Sequence, residues 1–152
     1  MEIRQITDDQ LKAEITRNIL ESLTDWFEVV ESREGYIRDC GGKLFFASYD
    51  GDKATGFLYL KETGRDTLEI AVMGVLREYH GRGLGRLLVD EARTAAKKEG
   101  YGFLQVKTVK MGMYEDYDRT NRFYQAVGFK EFEVFPLLWD EANPCQVYVM
   151  AL

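Results

Sequence analysis

Residues 68–98 hold the feature that most restricts this chain. An apolar run, Leu68 to Leu76, is followed by His80-Gly81-Arg82-Gly83-Leu84-Gly85 and then by Leu84 to Lys98. In that last segment Leu84, Leu87, Leu88, Ala92, Ala95 and Ala96 recur at the spacing of one helical face. The pattern predicts a strand, a glycine-rich turn and a helix. Such a turn presents free backbone N–H groups and the positive end of a helix dipole, an anion site best suited to phosphate. Glycine matters there because a side chain would hold the phosphate away from the backbone.

Two familiar phosphate loops are excluded by what is missing. A nucleoside-triphosphate loop needs Gly-x4-Gly-Lys-Ser/Thr, and neither the lysine nor the hydroxyl is present. A dinucleotide fold wants Gly-x-Gly-x-x-Gly, but Arg86 stands at the third glycine position. The turn also lies mid-chain, after several strands.

The rest of the chain reads as a mixed α/β sheet flanked by helices. Glu2 to Ile6 predicts a strand, and Asp8 or Asp9 caps a helix with apolar positions Leu11, Ile15, Ile19 and Leu23. A short helix over Ser32 to Asp39 follows. Lys43–Tyr49, Ala54–Glu62 and Thr67–Leu76 form an antiparallel meander with turns at Asp50-Gly51-Asp52 and Gly64-Arg65-Asp66. Gly100 ends the long helix, Phe103–Val109 is a strand parallel to the one before it, and Asp118–Val127 is a helix stopped by Gly128. Phe129–Phe135 and Gln146–Met150 are expected to close the sheet as a hairpin with a long loop.

At 152 residues, 45% apolar and 30% charged, the chain is expected to be one soluble globular domain, 1–152. No apolar run approaches the roughly 20 residues that cross a bilayer, and the start has no signal-peptide pattern. With Cys40 and Cys145 in no redox or metal spacing, the expected setting is cytoplasmic, with two reduced thiols. His80 is the only histidine, so neither a zinc site nor a Ser-His triad is expected. A net charge of −6 argues against general nucleic-acid binding. Yet residues 77–98 hold six Lys or Arg against three acids, while residues 8–39 hold nine acids against four bases. A basic island over the glycine loop suits an anionic ligand.

Leu76-Arg-Glu-Tyr-His-Gly-Arg-Gly-Leu-Gly-Arg86 resembles the acetyl-CoA pyrophosphate loop of the GNAT N-acetyltransferase superfamily, Gln/Arg-x-x-Gly-x-Gly/Ala. Gly83 and Gly85 match its small positions, and His80 stands where Gln or Arg is usual. Asn121-Arg-Phe-Tyr-Gln-Ala-Val-Gly-Phe129 resembles the family's later helix, ending in Phe-Tyr-x-x-x-Gly-Phe. The resemblance covers roughly residues 43–137 and implies a largely antiparallel central sheet of about seven strands.

It also implies a direct acetyl transfer from acetyl-CoA, as co-substrate, to a primary amine, with no metal and no covalent enzyme intermediate. The cofactor side comprises His80, Gly81, Arg82, Gly83, Leu84, Gly85 and Arg86, with the backbone of Met73 and Val75 where the family's strand splays. Gly74 between those two fits a bulge or a close backbone approach. Tyr124 matches the tyrosine that protonates or hydrogen-bonds the CoA sulfur, a phenol with pKa about 10 being protonated at neutral pH. On the helix, Phe123 and Val127 are expected to face the core and Tyr124 the cleft. Where the family often has Asn seven residues before this tyrosine, Tyr117 stands; Asn121 is a further cofactor contact.

Glu69, a carboxylate inside an apolar strand, is a candidate general base, with a salt bridge or a solvent-facing position on a half-exposed sheet as the rival reading. Trp26, Phe27, Tyr36 and Trp139, beside acids, fall in segments that correspond to the family's acceptor walls and suit a cationic amine. Partners are then an amine acceptor, no nucleic acid and no membrane, with a homodimer left open. A non-catalytic acyl-CoA sensor on the same fold is the alternative, and a nucleotide-binding module a distant third.

Overall fold

The structure is a computed structural model and describes residues 1–152. Its elements are β1 (Glu2–Ile6), α1 (Asp9–Ser22), α2 (Val30–Asp39), β2 (Leu44–Asp50), β3 (Lys53–Gly64), β4 (Thr67–Val75), α3 (Leu84–Lys98), β5 (Phe103–Val109), α4 (Glu115–Ala126), β6 (Lys130–Asp140) and β7 (Asn143–Ala151). A 3-10 turn, Arg77–Tyr79, lies between β4 and α3. The seven strands hydrogen-bond in the order β1-β2-β3-β4-β5-β7-β6. The β4–β5 pair is parallel, and the β1–β2, β2–β3, β5–β7 and β6–β7 pairs are antiparallel. The chain divides into two compact units, Met1–Lys61 with Ala71–Ala95 and Glu62–Ile70 with Ala96–Leu152.

In the first unit, α1 starts at Asp8, whose carboxylate accepts from the N–H groups of Gln10 (2.9 Å) and Leu11 (3.4 Å). Those are two of the four donors a helix start leaves unpaired. Ile15, Ile19, Leu20 and Leu23 are buried along α1 and share a core with Phe45, Ala47, Phe57, Tyr59 and Val72. Phe45 stacks on both Phe57 and Tyr59, at 5.5 and 5.9 Å between ring centroids. Each buried aliphatic contributes roughly 1.5–3 kcal/mol, so this cluster dominates the unit's stability.

Lys12 is buried on the same helix. Its ammonium donates to the Lys43 carbonyl at 2.7 Å and pairs with Asp9 at 3.1 Å. The N–H of Gly42, together with Lys12, holds the Asp9 carboxyl below its ordinary range. A buried ammonium without such partners would be costly.

In the second unit, β5 lies between the first four residues of β4 and β7, in the registers Glu69↔Gln105↔Val149 and Val106↔Tyr148. α4 begins at Glu115, three residues before the expected start, with Glu115, Asp116 and Asp118 in its first turn, where the helix dipole favours acids.

Two expectations need correction. Leu87 is exposed, whereas Val89 is fully buried, so the inward line of α3 is Leu84, Leu88, Val89, Ala92 and Ala96. The i+4 line through 84, 88, 92 and 96 was legible; which flank joins it is decided by packing. The β6–β7 hairpin has no long loop either. Only Glu141 and Ala142 separate its strands, and the extra residues form a bulge, Pro136–Trp139, opposite Pro144. Proline has no N–H for a ladder, so both prolines sit where the ladder breaks.

Candidate active site

The first unit carries the glycine turn. The N–H of Leu76 ends β4 by donating to the Thr55 carbonyl at 2.8 Å, and the 3-10 turn closes with His80 N–H on the Arg77 carbonyl at 3.1 Å. Gly81 and Gly83 then adopt φ of +76° and +78°, the left-handed region that L side chains avoid. A Cβ built on either would meet no atom within 4 Å. Packing therefore does not require these glycines, while the backbone conformation does, and the space beside their main chain is open. α3 starts immediately after, with Leu87 N–H donating to the Gly83 carbonyl at 3.1 Å. The N–H groups of Leu84, Gly85 and Arg86 have no carbonyl one turn earlier within the helix.

Side chains around the turn are held in place. The Arg82 guanidinium lies over the Tyr79 ring at 4.8 Å, and the Tyr79 hydroxyl donates to Asp50 at 2.8 Å. That bond raises the Tyr79 phenol above its ordinary pKa. Arg86 is exposed on the first turn of α3.

At Gly74 the close neighbours are core side chains, not a second backbone, so packing against α1 accounts for the glycine. A Cβ there would lie 3.0 Å from Leu23 Cδ1 and 3.2 Å from Ile19 Cγ2. Met73 and Val75 are half-buried on either side. The Val75 carbonyl accepts a 2.6 Å hydrogen bond from His80 Nε2, so the imidazole already serves one of the backbone groups expected to meet pantetheine.

His80 has a second role in this cluster. Its ring meets Trp26 edge-on at 5.8 Å; the Arg77 guanidinium lies 5.2 Å over Trp26 and forms an ion pair with Asp25. Phe27 meets Tyr36 edge-on at 6.3 Å, and the Tyr36 carbonyl accepts from the Tyr59 hydroxyl at 2.9 Å. Arg33 donates to the Phe27 carbonyl at 2.6 Å, fixing the segment between α1 and α2. Three of the four expected acceptor-side aromatics thus belong to one unit, with Trp26 against His80. Trp139 lies on β6, in the other unit.

The second unit holds the remaining candidates. Glu69 is 4% exposed, forms an ion pair with Lys107 and accepts from Gln105 Nε2 at 3.3 Å. The parallel register explains this: Gln105 stands beside Glu69, and Lys107 is two residues on, on the same face. The ion pair accounts for a buried carboxylate in a strand, so burial alone no longer argues for catalysis. Lys107 was not singled out from sequence, although its period-two relation to Gln105 was visible.

Tyr124 departs from expectation. It is 6% exposed, while Phe123 is half-buried, because the inward stripe of α4 is Asn121, Tyr124 and Val127. The Tyr124 ring packs against Phe129 at 5.7 Å and Tyr148 at 6.0 Å. Asn121, expected as a cofactor contact, is 0% exposed and engaged inside the protein. Its amide donates to the Val109 and Tyr117 carbonyls at 2.8 and 2.7 Å and accepts from the Tyr148 hydroxyl at 2.6 Å. Both donors are used within the protein, so Asn121 ties α4 to β5 and β7. Gln125 donates to the Tyr148 oxygen at 3.2 Å. Burial raises the Tyr148 phenol, which keeps it protonated and donating.

The model of the acetyltransferase (GNAT) domain matches residues 41–131. The chain belongs to the GNAT family of N-acetyltransferases. Over 123 residues it is 31% identical to an uncharacterised N-acetyltransferase of Chlorobaculum tepidum, covering 76% of this chain and 67% of that protein. Among solved structures, it superposes on the aminoglycoside 6'-N-acetyltransferase of Enterococcus faecium with a TM-score of 0.81 at 15% identity, covering 99% and 97% of the two chains. A GNAT acetyltransferase of Elizabethkingia anophelis with acetyl-CoA bound matches with a TM-score of 0.74 at 17% identity, covering 99% and 97%. At such identities these two likenesses speak for the fold, which is that of a GNAT acetyltransferase. No helix is long and apolar enough to cross a membrane.

Proposed function

We propose that this chain is one acetyl-CoA-dependent N-acetyltransferase domain, residues 1–152, acting in the cytoplasm and moving acetyl directly to a primary amine. The observation that carries acetyl-CoA use is the turn at Gly81 and Gly83, whose positive φ angles and open flanks lie at the start of α3. Phosphate oxygens fit the open space beside these glycines, at the positive end of the α3 dipole. Arg82 and Arg86 add positive charge beside it. Acetyl-CoA supplies the activated acyl carbon.

In the transfer, an N–C bond forms as the C–S bond breaks. One proton leaves the amine and one reaches the sulfur. The protonated phenol of Tyr124 is the proposed donor to the leaving thiolate. Glu69 is the proposed acceptor of the amine proton, directly or through water, with Lys107 and Gln105 holding its carboxylate. Backbone N–H groups of Met73 and Val75 are the proposed support for charge on the thioester oxygen.

For the acceptor we propose a small amine that carries an extra positive charge. Trp26 packs against His80 and Phe27 against Tyr36, and Glu28 and Glu31 are exposed in the segment that follows Phe27. Most other acids of this region are already used: Asp9 by Lys12, Asp25 by Arg77, and Glu21 and Glu34 by Arg17. The similarity to an aminoglycoside acetyltransferase accords with a cationic acceptor.

Thiol release from acetyl-CoA across polyamines, aminoglycosides and peptide N-termini tests this reading. Amine-dependent release is expected; release indifferent to every amine contradicts it. The packing of Tyr124 among Phe129 and Tyr148 favours one second reading, an acyl-CoA sensor. A sensor binds CoA with no turnover.

A further inference from the structure

Arg82 stands between Gly81 and Gly83, and its guanidinium rests on the Tyr79 ring at 4.8 Å with no hydrogen bond or ion pair of its own. An arginine held only by a ring contact keeps its five N–H donors for a ligand. The acids nearby do not consume them. Asp50 accepts from the Tyr79 hydroxyl at 2.8 Å, and Glu78 stands 4.0 Å from Lys53. Lys53 itself lies 5.5 Å from the Tyr79 centroid, so this ring meets two cations. Asp50 belongs to a fixed element. It pairs with Lys53 across the β2–β3 turn, where Arg4 donates to the Gly51 carbonyl at 3.2 Å. A chain of contacts therefore runs from this hairpin through Tyr79 to Arg82, all of it within the first unit.

We propose that Tyr79, held by Asp50, is a positioning residue for acetyl-CoA that sets the Arg82 guanidinium for a phosphate oxygen at the turn. The proposal rests on the reading of Gly81 and Gly83 as the phosphate turn. Entropy gives the first reason. Arg82 is exposed, and an exposed arginine without a contact samples many rotamers, which a ligand would have to order. A ring beneath the guanidinium does that ordering before the ligand arrives. Polarisation gives the second. A phenol that donates to a carboxylate gains electron density in its ring, and the ring then attracts the cation above it more strongly. The same bond holds the phenol above its ordinary pKa, so it stays protonated and donating. Charge gives the third. With Asp50 turned to the phenol and Glu78 beside Lys53, no carboxylate competes with a phosphate for Arg82.

Isothermal titration of the full chain with CoA, at low and at raised salt, reads the proposal. Arg82→Gln is expected to weaken CoA about tenfold or more, the scale of a charge-assisted hydrogen bond. Tyr79→Leu keeps an apolar side chain at a half-buried position and removes no charge. It is nevertheless expected to weaken CoA about two- to fivefold, the scale of an exposed cation–π contact. Tyr79→Leu/Arg82→Gln is expected to bind CoA as Arg82→Gln does, because the ring acts through the arginine. Tyr79→Phe retains the ring without the Asp50 bond and is expected to fall between Tyr79→Leu and the parent. Salt screens exposed charges, so the parent's affinity is expected to fall as salt rises, and Tyr79→Leu to flatten that fall. A loss from Tyr79→Leu that persists undiminished in the Arg82→Gln background assigns the ring to the fold alone and overturns the proposal. So does a Tyr79→Leu protein that binds CoA as the parent does, or one whose salt dependence is unchanged. In each of these cases the phosphate turn still stands if Gly83→Ala loses CoA affinity. A parent that binds no CoA removes the turn reading and this proposal together.

Discussion

Replacing Gly83 separates the glycine turn's folding role from its binding role. Its φ of +78° costs an L residue about 1–2 kcal/mol, and a Cβ there meets nothing within 4 Å. Gly83→Ala should therefore be destabilised by that strain alone. For a chain of 152 residues this lowers Tm by about 2–8 °C. Gly83→Asn tolerates positive φ, so its Tm should fall less, although it puts a larger side chain in the same space. If phosphate oxygens occupy that space, both variants lose CoA affinity, Asn at least as much as Ala, and each by tenfold or more. Isothermal titration with CoA, beside a thermal melt, reads both numbers. Affinities that follow the Tm loss, with Asn close to the parent, would show that the turn serves only the fold.

Other consequences follow from the second unit. Tyr124→Phe should leave CoA affinity intact and lower kcat by about 10²- to 10⁴-fold when chemistry limits the rate; a change within twofold would assign the ring to packing alone. Glu69→Gln keeps a partner for Gln105, so it should fold and lose kcat at least tenfold with CoA affinity unchanged; unchanged turnover would leave Glu69 as an ion-pair partner of Lys107. Asn121→Ala strips partners from the Tyr148 hydroxyl and the Val109 and Tyr117 carbonyls. At about 1–3 kcal/mol per buried unmet group it should lower Tm by several degrees or more, with CoA affinity retained in the folded protein. Weaker CoA binding at equal stability would return Asn121 to the ligand.

The parts of the fold that were legible are those set by local chemistry. Asp8 or Asp9 ahead of an i, i+4 apolar line marked the start of α1, with the structure choosing Asp8, and the Asp50-Gly51-Asp52 and Gly64-Arg65-Asp66 turns marked the β2–β4 meander. The glycine turn was legible because positive φ leaves few residues a choice. What stayed hidden depends on which neighbour arrives. Leu87 and Val89 flank the same helical line, and only packing chose Val89. Phe123 and Tyr124 are adjacent aromatics, and the Asn121–Tyr148 hydrogen bond draws the stripe through 121 and 124. Glu69 could be called costly from sequence, but its partner comes from β5, through a register that only the folded sheet fixes. The prolines signalled a broken ladder, which a linear reading lengthened into a loop.

The most direct test of the central claim measures acetyl transfer itself. Purified protein is incubated with acetyl-CoA and the amine panel while free thiol and acetylated amine are quantified together. Burial raises the Cys40 and Cys145 thiols, and they are 1% and 0% exposed, so they add little background. The account predicts CoA and acetylated amine in a one-to-one ratio, fastest with a polycationic acceptor and abolished or strongly reduced in Tyr124→Phe. Tight CoA binding with no acetylated product from any amine would contradict the transferase reading and leave the sensor in its place.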